Sequence, residues 1–594
     1  RKSDGSYQET TFEYYTTFDG RRLLNIEGAE TSQVGPSTIT MDGLLVNPAD
    51  TNGDGLIHGL SFDWTAFDIA STLDAVAGFS EARTVDEFRE QTRGLVAYAQ
   101  NILVADKYGD VLFTPYNAMP CRDHLPIEDG RWVTDADPQY LLDGTLYGGF
   151  EIPLNAQGMP DETFKSDPQR CVIPFDEMPQ ARSPASGFVM SANHDIAGVS
   201  FDNNLANDLH YLGGFWYPAF RAHTIDTHLK DIVSAQSANL DTMAELQGNH
   251  DSTMGQLLTP YILAALERAK LVTEDATDPQ EVSLRETYLN ATQHFNEAQT
   301  YFEEWLAADA PASSGVDTFY QQVTAEERRH SVATTLFNVW YRRMLERTFN
   351  DERLEWLWTG VDTRRLGRVL PRMLANRGAE PTEQRADYVV ERGESIFFDD
   401  IQTEQTESSD ELILTTLASV FTDLSQRQDG TGQGGFGTDD MSTWLWGMRH
   451  QVLFRSLLGS VAEDNPIVGL IGLSFSITTD NLPLIEDTDN DDPRAELINF
   501  PRNGDYYAVD SAGAPLDANH FFYSYGPVMR MVFHLTEDRV TGRNIIPGGQ
   551  AANTEDPHFA DQAALWLGNQ TLPVRYHIDE LLQGIESSER YLPR

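Results

Sequence analysis

The sequence predicts an α+β protein, and three observations carry that expectation. Residues 1–48 alternate Thr, Phe, Tyr and Leu with polar residues and are punctuated by Asp19-Gly20 and Asp42-Gly43, the pattern of strands joined by tight turns. From Thr224 to about Leu374 the apolar period lengthens to 3.6, with Leu257, Tyr261, Ala264 and Leu266, and later the stretch from Thr335 to Arg347, marking amphipathic helices. The last third is again broken by Gly and Pro and rich in aromatic residues.

The chain has 594 residues, too many for one ordinary core, and 40% apolar content with 10 Trp, 22 Tyr and 30 Phe fills a large interior. No apolar run approaches the roughly 18 residues that span a bilayer, so no transmembrane segment is expected. Forty-two basic against 92 acidic residues leave a net charge of −50, and only five of the basic residues are Lys. Nucleic acid is excluded as a main partner, because its phosphates would be repelled. The acidic residues are spread along the chain, which suits a solvated surface and a saline habitat, where salt screens the self-repulsion.

Two cysteines, Cys121 and Cys171, sit in Pro-flanked, loop-like surroundings. One disulfide closing a long loop, in an oxidising compartment, fits this pattern; by count alone, two free thiols fit as well.

Several stretches carry local signals. Asp50-Thr51-Asn52-Gly53-Asp54-Gly55-Leu56 matches the first half of a calcium loop. Asp50, Asn52 and Asp54 offer side-chain oxygens, Gly55 the sharp turn and Leu56 a carbonyl. Position twelve is Ser61 rather than Glu, so Asp63 is the candidate for the remaining ligand; a solvated double turn is the plainer alternative. Residues 487–492 are a weaker cation candidate and read as an acidic loop. Residues 100–113 read as a hairpin turning at Lys107 to Gly109. In the stretch 187–221, Phe188-Val189-Met190 reads as a strand that breaks at Ser191-Ala192-Asn193-His194-Asp195 and re-enters helix near Tyr217-Pro218. Asn and Asp after a strand are also ordinary turn formers.

Gly187-Phe188-Val189 with Ala192-Asn193, followed by Asp208-Leu209, Gly213-Gly214 and Arg221, resembles the penicillin acylase family of N-terminal nucleophile (Ntn) amidohydrolases. Other segments follow in family order. They include Tyr14 to Gly20, Gln100-Asn101 with Ala105-Asp106, Pro120 with Arg122, Gly130-Arg131-Trp132, Pro174-Phe175-Asp176-Glu177-Met178-Pro179, and Leu336 to Trp340 with Phe349 to Glu352. Gly526-Pro527, Pro547-Gly548-Gly549 and Asp556-Pro557-His558 close the match, while Val528 and Ala551 each replace an expected Ser. Trp444-Leu445-Trp446-Gly447-Met448-Arg449-His450 is similar to a motif of the aculeacin and acyl-homoserine-lactone acylase branch, and it also reads as an aromatic anchor.

The resemblance implies an αββα four-layer Ntn-hydrolase sandwich with a large helical insertion. Residues 1–223 would form the first part of the core, with an insert at about 133–170 that Cys171 ties to Cys121. Residues 224–410 would be the helical insertion and an acidic surface excursion from Arg377 to Ser409, and 411–594 the return to the core. It implies hydrolysis of an N-acyl amide through an acyl-enzyme on an N-terminal Ser, with the Asn193 side chain as oxyanion donor, Arg221 orienting it and His194 beside the substrate. It also implies Asp208 as a calcium ligand, and a processed, periplasmic or secreted heterodimer. This chain is expected to lack the α-subunit and the β-segment bearing the nucleophile. The alternative is a non-catalytic, calcium-stabilised binding relative of the same fold.

Overall fold

The computed structural model describes residues 63–591 except for 68–69, 98, 145, 215, 350–362, 379–386, 402, 404, 427–434, 457–474, 486–491, 511–520, 522, 524–525 and 586, together with the backbone of four strands between 33 and 59. The chain divides into two compact units, Arg1–Trp216 and Tyr217–Arg594. Helices and small antiparallel sheets are mixed in both, which is the α+β class.

In the first unit β1 (Gln33–Gly35), β2 (Thr38–Met41), β3 (Leu44–Asn47) and β4 (His58–Gly59) make one antiparallel sheet in sequence order. Met41 pairs with Leu44 and Ile39 with Val46 across β2 and β3. Helices α1 (Thr72–Phe79) and α2 (Val85–Thr92) follow, the second capped by Thr84, whose hydroxyl accepts from Glu87 N at 3.1 Å. The expected hairpin forms from β5 (Ile102–Ala105) and β6 (Val111–Thr114). Its turn is held by Asp106 Oδ1, which accepts from Tyr108 N at 2.9 Å and Asp110 N at 3.1 Å, while Gly109 takes a φ of +95°. A short pair, β7 (Ile127–Glu128) and β8 (Arg131–Trp132), lies in the following loop, and β9 (Ala181–Arg182) then extends β6.

The core of this unit gathers Ala75, Leu95, Tyr116, Ile173, Phe175 and Met178. Phe175 is packed between two guanidinium groups, Arg89 at 4.0 Å and Arg93 at 3.7 Å from its ring centre. The Pro174 to Pro179 segment is therefore a brace: Asp176 pairs with Arg89 at 3.0 Å and Glu177 with His210 at 2.7 Å.

The second unit opens with α3 (Phe220–Ser234), close to the expected re-entry into helix, and continues through α4 (Leu240–Gln247), α5 (Thr253–Leu271), α6 (Pro279–Asn290), α7 (Thr292–Ala307), α8 (Ala325–Phe349), α9 (Thr363–Ala375) and α10 (Ser409–Ser425). The starts follow the sequence: Asn239 forms a capping box on α4, Ser252 caps α5, Asp278 precedes Pro279 on α6, and Ser408 caps α10. Their apolar faces meet in one core that includes Leu258, Trp305, Phe337, Trp340 and Leu417, all fully buried. The Trp340 indole donates to Ile413 O at 3.1 Å, so even this deep ring has its N–H satisfied. Short strands β10 (Tyr388–Val389) with β11 (Glu394–Ser395), and β12 (Gln451–Val452) with β13 (Phe500–Pro501), precede a three-stranded sheet of β14 (Arg530–Leu535), β15 (Val540–Ile545) and β16 (Leu572–Pro573). Helices α11 (Asp561–Leu567) and α12 (Ile578–Gln583) complete the unit.

Three expectations are corrected. Residues 188–190 belong to no strand: their alternation is real, but no strand among the described residues takes up a ladder with them. On α5 the buried stripe is Met254, Leu258, Ile262, Ala265, Leu266 and Ala269, with Tyr261 packed at its edge, whereas Leu257 is 43% exposed and Ala264 is exposed. The helix is apolar on most of its circumference, so the period leaves its buried face undetermined. The segment from 377 to 409 is not wholly superficial, since Glu394, Ser395 and Phe398 are buried and Arg377 reaches Asp410 of α10 at 2.6 Å.

Candidate active site

The loop from 187 to 216 is built by short polar side chains bonding their own backbone. Gly187 turns at a φ of +81°, with its N–H donating to Pro184 O at 2.9 Å. Asp195 organises the next turn: its carboxylate accepts from Gly198 N at 2.8 Å, Ser200 N at 2.8 Å and Ser200 Oγ at 2.7 Å. Asp202 does the same for Asn204 N at 3.0 Å and Asn207 Nδ2 at 2.8 Å, and Asn204 anchors the loop by donating to Gly130 O at 2.9 Å. These are Asx-type turns, which explain why a Gly/Asn/Asp-rich stretch holds a defined path without a ladder.

Asn193 sits at the bend with a φ of +61°, in the left-handed region that Asn tolerates better than most residues, and it is exposed. His194 follows; its Nδ1 accepts from Ala192 N at 3.4 Å. The next residues, with His194, form one wall of a cleft of about 280 Å³. The cleft carries the carboxamides of Gln100, Asn101 and Asn117, and its apolar lining comes from Phe113, Met119, Met178, Leu212 and Trp216. Such a cleft, apolar with a few hydrogen-bonding side chains, is chemically suited to an acyl chain ending in an amide.

The disulfide frames this cleft. Cys121 and Cys171 are joined, with Cα atoms 5.4 Å apart. On either side Ile173 N donates to Met119 O at 2.9 Å and Cys121 N to Cys171 O at 3.0 Å. Met119 and Met178 of the lining are thus positioned by the cross-link and by the Phe175 brace.

Arg221 lies in the first turn of α3, in the second unit, half-buried and with its guanidinium 5.8 Å from the Tyr217 ring centre. The Trp446 to His450 motif is internal: Trp444, Trp446 and His450 are buried, the Trp446 indole donates to Gly504 O at 2.9 Å, and Ser331 Oγ accepts from Trp446 N at 2.7 Å. The aromatic-anchor reading therefore describes it.

Of the calcium candidates, Asp50, Asn52, Asp54 and Leu56 lie outside the described residues, as do residues 487–491. Asp63 lies against Gly149, where an added Cβ would meet its Oδ2 at 1.8 Å, and within electrostatic reach of Arg122. Asp208 Oδ2 is buried without a hydrogen-bond partner among the described residues, and burial, with Asp202 and Asp195 nearby, raises its carboxyl pKa. An orphaned carboxylate oxygen fits a cation ligand. Among the described residues, however, the one group of three spaced to hold a metal is Cys121, Asp123 and Cys171, whose sulfurs are already bonded to each other.

Sequence reasoning did not single out Gln100, Asn117, Met119, Met178 or Trp216 as site residues. They come from separate loops and share no period, so only the fold brings them together. Gln100-Asn101, a polar pair entering an apolar strand, was the one local signal.

No curated protein matches this chain. Among solved structures, a thermostable penicillin G acylase from Alcaligenes faecalis is similar to it at 15% identity and a TM-score of 0.49, over 95% of this chain and 80% of that one. The family model for penicillin amidase matches residues 20–582, from ahead of the first described strand to the end of α12. A single family thus accounts for both units and for the order of the motifs along them, and the chain belongs to the penicillin amidase family.

Proposed function

We propose that the protein is an acylase that hydrolyses an N-acyl amide, of the penicillin, acyl-homoserine-lactone or acylated-peptide kind, through an acyl-enzyme. The observation that carries this reading is the amide-lined, apolar cleft walled by His194 to Ala197, immediately after Asn193, in a chain of the penicillin amidase family.

A Ser hydroxyl at a processed N-terminus attacks the acyl carbonyl while its proton passes to the α-amine. Asn193 Nδ2 donates to the oxygen as it gains charge, and Arg221 is the second residue this reading takes as catalytic. Collapse of the tetrahedral intermediate breaks the C–N bond, the amine leaves with a proton, and water then releases the carboxylic acid. No residue of this chain is assigned the nucleophile. His194 lies beside the substrate, and Met119, Met178 and Trp216 hold the acyl chain. The Cys121–Cys171 bond favours a periplasmic or secreted setting, since such bonds persist where thiols are oxidised. No helix among the described residues is long and apolar enough to cross a membrane.

In the processed enzyme, Asn193→Ala lowers kcat by about a hundredfold or more with little change in KM, because the donor acts mainly in the transition state. Hydrolysis of N-acyl amides at the parent rate by that variant overturns the assignment.

Calcium is the structural cation of this reading, with Asp50, Asn52, Asp54 and the Leu56 carbonyl as ligands, and Asp63 and Asp208 as the further candidates. Elemental analysis of dialysed protein should find calcium at stoichiometric level, and Asp54→Ala should lose it. Protein that retains no calcium, with a melting temperature indifferent to a chelator, removes the metal.

A further inference from the structure

The second unit holds a buried charge imbalance. Arg502 donates to Asp510 Oδ2 at 2.6 Å and Arg530 to Asp510 Oδ1 at 3.0 Å, and the three side chains are 4%, 2% and 6% exposed. Two guanidinium groups therefore share one carboxylate. Tyr523, Tyr320 and His450 also interact with these groups. Burial raises the pKa of both tyrosines and lowers that of the histidine, so all three are neutral at pH 7. Among the described residues, the cluster keeps one positive charge inside a chain whose net charge is −50.

Local contacts soften that charge without cancelling it. Both guanidinium groups lie over the Trp566 ring, at 4.2 and 4.5 Å, and Arg530 also donates to Trp566 O at 2.7 Å. The Nε atoms of Arg502 and Arg530 are buried without hydrogen-bond partners among the described residues. A buried charge held this way is costly unless a counter-charge reaches it.

Beside the cluster is a cavity of about 130 Å³ whose wall includes Arg502, Asp510, Tyr320, Gln321, Asn503 and Asn569. At about 30 Å³ per water it has room for roughly four waters, or for one small ion and its hydration. Asn503 Oδ1 already accepts from Ser314 N at 2.8 Å and Gln321 Nε2 at 3.0 Å, which leaves its amide N–H groups as donors. Positive charge with neutral donors selects an anion, and a balance of one selects a monovalent one.

We propose that this cavity is a binding site for a small monovalent anion, a halide or a formate-sized carboxylate, seated against Arg502 and neutralising the Arg502–Asp510–Arg530 cluster. Binding to the folded state alone makes stability depend on which anion is present as well as on ionic strength.

Melting temperatures measured in sodium chloride, sodium formate and sodium gluconate at one ionic strength test this. Chloride, formate or both should raise the melting temperature saturably by about 2 °C or more over gluconate, which is too large for the cavity. Which of the two acts names the halide or the carboxylate. Superimposable curves in all three salts overturn the site. Gln321→Glu places a carboxylate on the cavity wall and should make the three curves coincide; a folded variant that keeps the anion dependence overturns it too. Independently of any variant, crystals soaked in bromide or formate should show the ion beside Arg502, by anomalous scattering in the first case. Bromide and formate both absent there, with other sites occupied, also overturn it.

Discussion

The Trp446 and His450 rings stack with centres 4.7 Å apart and planes 14° from parallel. The imidazole is fully buried, its Nδ1 donates to Phe521 O, and its Nε2 has no hydrogen-bond partner among the described residues. Burial first, and Arg502 nearby, pull its pKa down to about 3, against the smaller opposing effect of the Phe521 carbonyl and Asp510.

That geometry sets a pH window. The unfolded chain protonates His450 from about pH 6.5 downward. The folded chain resists until about 3. Between these values the unfolded state binds more protons, so this contribution is complete above pH 6.5 and is lost as pH falls, at about 1.4 kcal/mol per pH unit. Urea unfolding of parent and His450→Gln at about pH 7 and about pH 4.5 should show the parent losing roughly 2 kcal/mol more than the variant. Equal losses would place the proton elsewhere.

Two adjacent leucines on α5 give a second test. Leu258 is fully buried and Leu257 is 43% exposed. Leu258→Ala should cost about 2–5 kcal/mol in unfolding free energy. Leu257→Ala should stay within about 0.5 kcal/mol of the parent. Reversal of that order in denaturant unfolding would mean the helix is rotated by about one residue.

The cross-link provides a third. Cys121 and Cys171 are 50 residues apart. Closing a loop of that length restricts the unfolded chain by about 4 kcal/mol in the entropic account. A Cys121→Ser, Cys171→Ser double variant should therefore melt earlier and unfold at lower denaturant. Unchanged stability would show that the hydrogen bonds between 119–121 and 171–173 suffice.

Local grammar was readable where each signal had one physical meaning. The hairpin around Asp106 to Gly109 and the entry into α3 after Pro218 follow from short-range rules. The cysteine pair joined as one of its two readings required, and the motif order pointed to the family that residues 20–582 match. What was not readable depends on partners distant in sequence. Phe188 to Met190 alternate as a strand does, but a strand exists only with a neighbour to pair with. The stripe on α5 was ambiguous because Leu257 and Leu258 look alike until the surrounding helices choose between them. The cleft was hidden for the same reason, since Gln100, Asn117, Met178 and Trp216 meet only after the first unit has folded.

The cross-link has a topological side as well. Residues 122–170 form a covalently closed ring with the bond between Cys121 and Cys171. A protease that cuts once within that ring opens a loop without separating the fragments: the pieces before and after the cut remain one molecule until a reductant arrives. The residues bordering the ring, Met119 and Ile173 among them, would stay in register across the nick. Exposed positions such as Tyr140, Leu141 and Leu146 lie within it. The first unit can thus be cleaved there and still hold the two sides of its cleft together.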